Sequence, residues 1–314
     1  MIIINAFSGV TTIFLVVLLG FYLKRKGWIP DEFTKLLPKF ITSIVLPPFL
    51  LRSVTGTFQQ DQLLGLLTGI WVPALSVFIS FGLGALLGQL FKVHAGRRGC
   101  FRVAIATSNT MNIGLPINVA LFGETAIPYV LLYFFVNCTF FWTIGNYTIA
   151  HDGESASVKM FSMASLKQIF SPPLIGFFIG IALVLLDWHL PVFLDKAFKY
   201  VGDMAIPLFL IFIGITLTEI SPGELKPEKD SVLVLLGRFV ISPLTIIALS
   251  YIFPIPALAR DVFIIQASLP VMLNAALIAA YYKADAKFMT VVVSGSTLLS
   301  IITIPLWAVL ASWI

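Results

Sequence analysis

Charge is what this sequence most lacks. Asp, Glu, Lys and Arg together make 11% of its 314 residues, against roughly 25% in a soluble domain. A deficit that large excludes one big soluble fold. Cysteine is scarce too: Cys100 sits in a basic loop and Cys138 in an apolar run, an arrangement that suits neither a disulfide framework nor a metal site. No HExxH, GxSxG or Walker pattern occurs, and no paired intramembrane Asp, so the acid–base or metal constellation that an enzyme needs is missing. A sensor would carry a soluble output domain, and no polar stretch is long enough for one. The sequence therefore points to no enzyme, no metal and no cofactor.

Apolar residues fill the space that charge leaves. They make 59% of the chain, and the mean hydropathy is +1.00. Runs long enough to span a bilayer recur along the whole length. Ten segments can be cut: Ile2–Leu23, Leu36–Val54, Leu63–Phe91, Cys100–Phe122, Ile127–Ile149, Ile169–Leu186, Tyr200–Leu217, Ser231–Phe253, Asp261–Tyr282 and Phe288–Trp313. The first is followed by Lys24, Arg25 and Lys26, the reverse of a secretory signal, so it reads as a retained helix. No soluble domain is left over, and residues 1–314 read as a single all-α membrane domain.

The net charge of +5 does not read as nucleic-acid binding, because the basic residues sit in short loops. Odd-numbered loops and their edges hold Lys24, Arg25, Lys26, Lys35, Lys39, Lys92, Arg97, Arg98, Arg102, Lys159, Lys167, Lys226, Lys229, Lys283 and Lys287, fifteen of the twenty Lys and Arg. Even-numbered loops hold four: Arg52, Lys196, Lys199 and Arg260. The positive-inside rule puts the odd loops in the cytoplasm and both termini on the periplasmic side of the inner membrane.

Sliding the chain on itself by 160 residues pairs Gly20 with Gly180, Trp28 with Trp188, Pro47 with Pro207, Phe49 with Phe209, Ser108 with Ser268 and Ala126 with Ala286. One register across several helices favours a real repeat, with copies over residues 1–150 and 160–314. Five helices per copy is odd, so the copies are inverted. Inverted repeats are a mark of secondary carriers, whose substrate lies at interrupted helices near the midplane.

The fourth and ninth segments are equivalent, and both are polar at mid-depth. The fourth carries Asn109, Thr110, Asn112, Gly114, Pro116 and Asn118; the ninth carries Ser268, Pro270 and Asn274. Proline breaks a helix, and the freed backbone groups are tolerated only beside protein or a water-filled cavity. Half-helix N-termini suit a carboxylate. A packing kink, with the Asn side chains bonding neighbouring helices, would read the same way.

The stretch Asn109-Thr-Met-Asn-Ile-Gly-Leu-Pro116, followed by Ala-Leu-Phe-Gly123, resembles the fourth-helix motif of the auxin efflux carrier family. Leu269-Pro270 through Ala284-Asp285, and Ser300 to Trp307 with Pro305, resemble its ninth and tenth helices, and Pro47, Pro207 and Gly214 its second and seventh. That family includes plant auxin exporters and bacterial malate or malonate permeases. The resemblance implies ten transmembrane helices in two inverted five-helix repeats, with broken fourth and ninth helices crossing, a fold similar to bile acid/sodium symporters. It implies crossover positions at Gly114, Pro116 and Pro270. It maps the carboxylate-binding Asn onto Asn109 and a fifth-helix amide onto Asn137. The candidate substrate residues are thus Asn109, Thr110, Asn112, Asn137, Ser268 and Asn274. The long central loop of the plant members is missing, which favours a small mono- or dicarboxylate over auxin.

Arg238, inside the eighth segment, is either a counter-charge for an anion or a side chain snorkelling to the interface. Asp203 either caps the seventh helix or couples protons. His94, His151 and His189 fall in loops. No carboxylate accompanies Pro116 and Pro270, which argues against strict sodium coupling; a cation-coupled symporter or antiporter is the alternative to an organic-anion carrier. The expected partners are a small organic anion and membrane lipids, with no nucleic acid; a homodimer is compatible with this class.

Overall fold

The computed structural model describes residues 15–57, 69–153, 160, 162–219 and 228–314. Most of the Ile2–Leu23 segment, the start of Leu63–Phe91, and the charges Lys159 and Lys226 lie outside the described residues. The described residues are helical, with no strand beyond one isolated bridge. In chain order the helices are α1 (15–25), α2 (Asp31–Gly56), α3 (Trp71–Leu90), α4 (Arg98–Ala106), α5 (Leu115–Phe122), α6 (Glu124–Asp152), α7 (Met163–Ile169), α8 (Pro172–Leu185), α9 (Val192–Glu219), α10 (Lys229–Ile252), α11 (Ala257–Ala267), α12 (Asn274–Tyr281) and α13 (Ala286–Ala311). Six of them are long and apolar enough to cross a membrane: α2, α3, α6, α9, α10 and α13. The fourth and ninth segments of the sequence are each split, into α4 and α5 and into α11 and α12, which leaves every piece short of that length.

The chain forms two compact units, each assembled from separate stretches of sequence. The first comprises Met1–Thr68, Met111–Leu131 and Phe170–Ile220. Its helices pack by small residues, as membrane helices do when no hydrophobic driving force acts between them. Gly176 and Gly180 of α8 lie against the backbone of Pro47 and Leu51 in α2. Gly214 of α9 lies against the Val17 carbonyl and Gly20 of α1 against Ile211, a reciprocal contact. At one end of this unit Arg52 makes a two-point ion pair with Asp195, Nε to Oδ1 at 2.7 Å and Nη2 to Oδ2 at 3.2 Å.

The second unit comprises Gly69–Thr110, Leu132–Ile169 and Ser221–Ile314. Its core is built from Phe101, Val103 and Ile105 of α4, Phe141 and Ile149 of α6, Val234 of α10, Ala275 and Ala279 of α12, and Met289 and Val292 of α13. Leu86, Leu244, Leu277 and Leu306 are exposed, as lipid-facing side chains are.

Four helices contain one widened π-turn: Ile41–Val45, Thr110–Gly114, Phe141–Gly145 and Gly237–Ile241. Three of these end two residues before a proline, namely Pro47, Pro116 and Pro243. Proline has no N–H for the carbonyl one turn earlier, and its ring crowds that carbonyl, so the turn opens. For Pro243 the orphaned carbonyl is Phe239, and the Trp307 indole of α13 donates to it at 2.8 Å. In the fourth turn, the Thr143 hydroxyl bonds back to the Thr139 carbonyl at 2.6 Å, a contact that bends helices.

The small-residue packing carries a stability prediction. A Cβ on Gly176 would collide with the Pro47 backbone, which cannot rotate away, whereas a Cβ on Gly82 would meet nothing within 4 Å. Gly176→Val should therefore destabilise the detergent-solubilised protein by about 1–3 kcal/mol, read as a lower melting temperature. Gly82→Ala should leave it unchanged; equal melting of both variants would refute this account.

Candidate functional site

The breaks in the fourth and ninth segments pair with each other inside the second unit. After α4 the chain turns extended at Thr107, and Ser108 forms an isolated antiparallel bridge with Val271, in the gap between α11 and α12. The Asn109 amide donates to the Pro270 carbonyl at 2.9 Å. In hydrocarbon a broken helix must satisfy its own backbone, and here each break supplies part of what the other needs.

Neighbouring helices supply the rest. The Asn137 side chain, from α6, accepts from the Ser108 amide and donates to the Ser108 carbonyl, both at 3.0 Å. It pairs with that residue as a β-partner would. The Ser296 hydroxyl, from α13, accepts from the Val271 amide at 3.1 Å and donates to the Val293 carbonyl at 2.9 Å.

The carbonyls at the ends of the first half-helices remain. Arg238 takes one from each: Nη1 donates to Ile105 of α4 at 2.7 Å, and Nη2 donates to Ala267 of α11. The Ser242 hydroxyl, one turn along α10, adds a bond to Ile105 at 3.0 Å. Arg238 sits in the widened turn Gly237–Ile241 and is 0% exposed. It does not snorkel to an interface. Among the described residues no carboxylate pairs with it; Tyr133 is its polar side-chain neighbour.

The other end of α4 is held by charge as well. Asp152 accepts from the amides of Gly99 at 2.9 Å and Cys100 at 2.7 Å, a carboxylate on a helix N-terminus. Next to it Arg97 bonds Glu228 at 2.6 Å and Asp285 at 2.7 Å and stacks over the Phe288 ring. Asp285 also caps α13 by accepting from Phe288. Among the described residues no group of three or more His, Cys, Asp or Glu is placed to hold a metal ion, and Cys100 and Cys138 are free and buried.

The model of the family described as "Membrane transport protein" matches residues 6–308. The chain belongs to this family. An uncharacterized transporter of Methanothermobacter thermautotrophicus is 26% identical, covering 98% of this chain and 99% of the relative. One from Methanocaldococcus jannaschii is 24% identical over 95% and 96%. A protein of Rhizobium meliloti named "Putative malonate transporter" is 24% identical over 92% and 90%. The resemblance to auxin efflux carriers is borne out by this family assignment.

In this membrane transport protein the second unit brings Asn109, Thr110, Asn137, Ser268, Pro270 and Asn274 to the paired breaks. Asn109 is 4% exposed, and its buried side-chain amide nitrogen has no partner among the described residues. The Thr110 carbonyl receives Gln266 Nε2 at 3.5 Å. Ser268 is buried, its hydroxyl bonded back to Ile265 at 3.0 Å. Asn274 opens α12 and is half-buried. Asn112, Gly114 and Pro116 belong to the first unit. There Asn112 is half-buried, and the Gly114 carbonyl accepts from the Asn118 side chain at 2.8 Å.

The side-chain amide of Asn137 is committed to the Ser108 backbone at both ends. The extended backbone lies at residues 107–109, ahead of Gly114 and Pro116. Pro116 follows the widened turn Thr110–Gly114, in a helix that continues to Phe122. One residue was missed: Gln266 of α11, fully buried, with an Oε1 that has no partner among the described residues. A glutamine one turn before Pro270 in an apolar run was the available signal.

The two amides should separate in experiment. Asn137→Ala strands the Ser108 amide in an apolar setting, at about 1–3 kcal/mol, and leaves the Ser108 carbonyl with the Thr110 amide alone. It should lower both the melting temperature and transport. Asn109→Ala removes a group with no partner and should leave melting unchanged. A thermal-shift assay on both purified variants decides; a stable Asn137→Ala would contradict the clamp.

Proposed function

We propose that the chain is a secondary transporter of a small organic anion, moved across the inner membrane by alternating access at the paired breaks. The substrate is a mono- or dicarboxylate such as malate or malonate, or an auxin-like acid. The observation that carries this reading is the side-chain nitrogen of Asn109, a buried hydrogen-bond donor with no partner among the described residues, beside the Asn109–Pro270 bond. A buried unpaired donor is costly unless a ligand uses it, and an amide suits a carboxylate without a fixed charge that would hold it too tightly. The malonate named for the Rhizobium relative is of the same chemical class.

In this reading ten helices form two inverted five-helix repeats, and the broken fourth and ninth helices cross where Ser108 meets Val271. Asn109 holds the substrate carboxylate, with Thr110, Ser268 and Asn274 around it. Asn137 positions the break. Both termini are periplasmic, and the protein works with lipid around it, alone or as a homodimer. A cation-coupled symporter or antiporter is the second reading. The unpartnered Gln266 Oε1 favours it, because a free buried acceptor suits a cation.

Transport by the purified protein in proteoliposomes tests these statements together. Asn109→Ala should raise KM about tenfold or more, the worth of one hydrogen bond to a charged group. An unchanged KM and rate would remove Asn109 from the site. Labelled malonate should enter sodium-free vesicles; uptake found only with a sodium gradient would favour the second reading. Cysteines at Ser157 and Ser221, both outside the described residues, should be labelled only from the cytoplasmic side. Labelling from outside sealed cells would overturn the orientation.

A further inference from the structure

Three buried groups in the second unit have a charge relationship that hydrogen bonding alone does not express. The last turn of a helix carries about half a negative elementary charge, because its carbonyls are unsatisfied and the peptide dipoles add. Two such ends, α4 at Ile105 and α11 at Ala267, meet at one guanidinium. Their sum is about −1 and Arg238 contributes +1. Ile105 lies one helical turn before Asn109, and Ala267 three residues before Pro270. The field of these ends is therefore felt at the break, where low dielectric leaves it weakly screened.

Arg238 touches no substrate in this arrangement. It is fully buried, with both Nη atoms spent on protein carbonyls and no paired carboxylate among the described residues. Without its charge the two carbonyl ends would form an electronegative pocket, a setting for a cation. With it, the ends are cancelled and the positive N-terminal end of α12, opening at Asn274, is left unopposed.

We propose that Arg238 is the charge-balancing residue that makes the paired breaks accept an anion rather than a cation, by cancelling the combined negative ends of α4 and α11. The inference rests on the organic-anion reading above. It deepens that reading by assigning the charge selectivity to a positioning residue outside the substrate's contacts. A purely structural role for Arg238 predicts that its loss weakens all ligands alike. A charge-balancing role predicts a loss graded by ligand charge.

The experiment measures binding of malonate, its monoamide malonamate and the neutral diamide malonamide to purified wild type, Arg238→Gln and Arg238→Lys by isothermal titration. In Arg238→Gln the ratio of malonamide Kd to malonate Kd should fall about tenfold or more, with malonamate intermediate. Arg238→Lys keeps the charge and should keep the wild-type ratio, even where transport slows because an ammonium lacks the guanidinium fork. A ratio unchanged in Arg238→Gln overturns the proposal. Should Arg238→Gln fail to fold, Arg238→Lys decides: a retained ratio supports charge balance, and a lost ratio with the charge still present overturns it. A wild type that binds neither malonate nor malate nor an auxin-like acid overturns the organic-anion reading and this inference together. A wild type that binds malonate, with a charge-blind loss in Arg238→Gln, overturns this inference alone.

Discussion

A helix cannot be interrupted inside a bilayer without a local answer for every amide and carbonyl it frees. That requirement organises the second unit. Its answers are few and specific: one bridge between the breaks, one asparagine and one serine from the flanking helices, and one arginine on the carbonyl ends. Each comes from a different part of the chain, so the core of α4, α6, α10, α12 and α13 must be in place before any is made. Packing and polar satisfaction are one problem here. The apolar core fixes where Asn137, Arg238 and Ser296 sit, and those three make the interruption affordable.

Much of the fold was legible in advance because a membrane allows few solutions. Charge deficit and apolar run length are coarse signals that survive without knowledge of any contact, and they mark an all-helical chain with stretches long enough to cross a membrane. The splits at residues 107–109 and 268–273 were legible as regions, since clusters of Asn, Ser and Pro in an apolar stretch have few uses. Their position within the fourth segment was not. Pro116 marks a widened turn and not the break, which falls at Ser108, a residue with no strong local preference. A side chain 29 positions away holds it open.

The same limit explains Asn137 and Arg238. Sequence identifies a polar residue in a span but not its partner. Asn137 looks equally suited to a ligand and to a backbone clamp, and only three-dimensional proximity to Ser108 separates the two. From its distance along α10, Arg238 suits an anion's counter-charge and a snorkelling side chain equally. The π-turn ahead of Pro243 instead places it among buried residues, against carbonyls 133 and 29 positions away. Proline here does its work at one remove: it opens a turn, and the turn positions the residue that matters.

The separation between these partners has a consequence for how the protein is made. Ribosomes deliver α4 long before α10, and α10 before α11. During that interval the Ser108 break has no Val271 beside it and the Ile105 carbonyl has no guanidinium. The peptide groups freed in the fourth segment are therefore answered in full only once the ninth has been made, so the two breaks are completed as one unit.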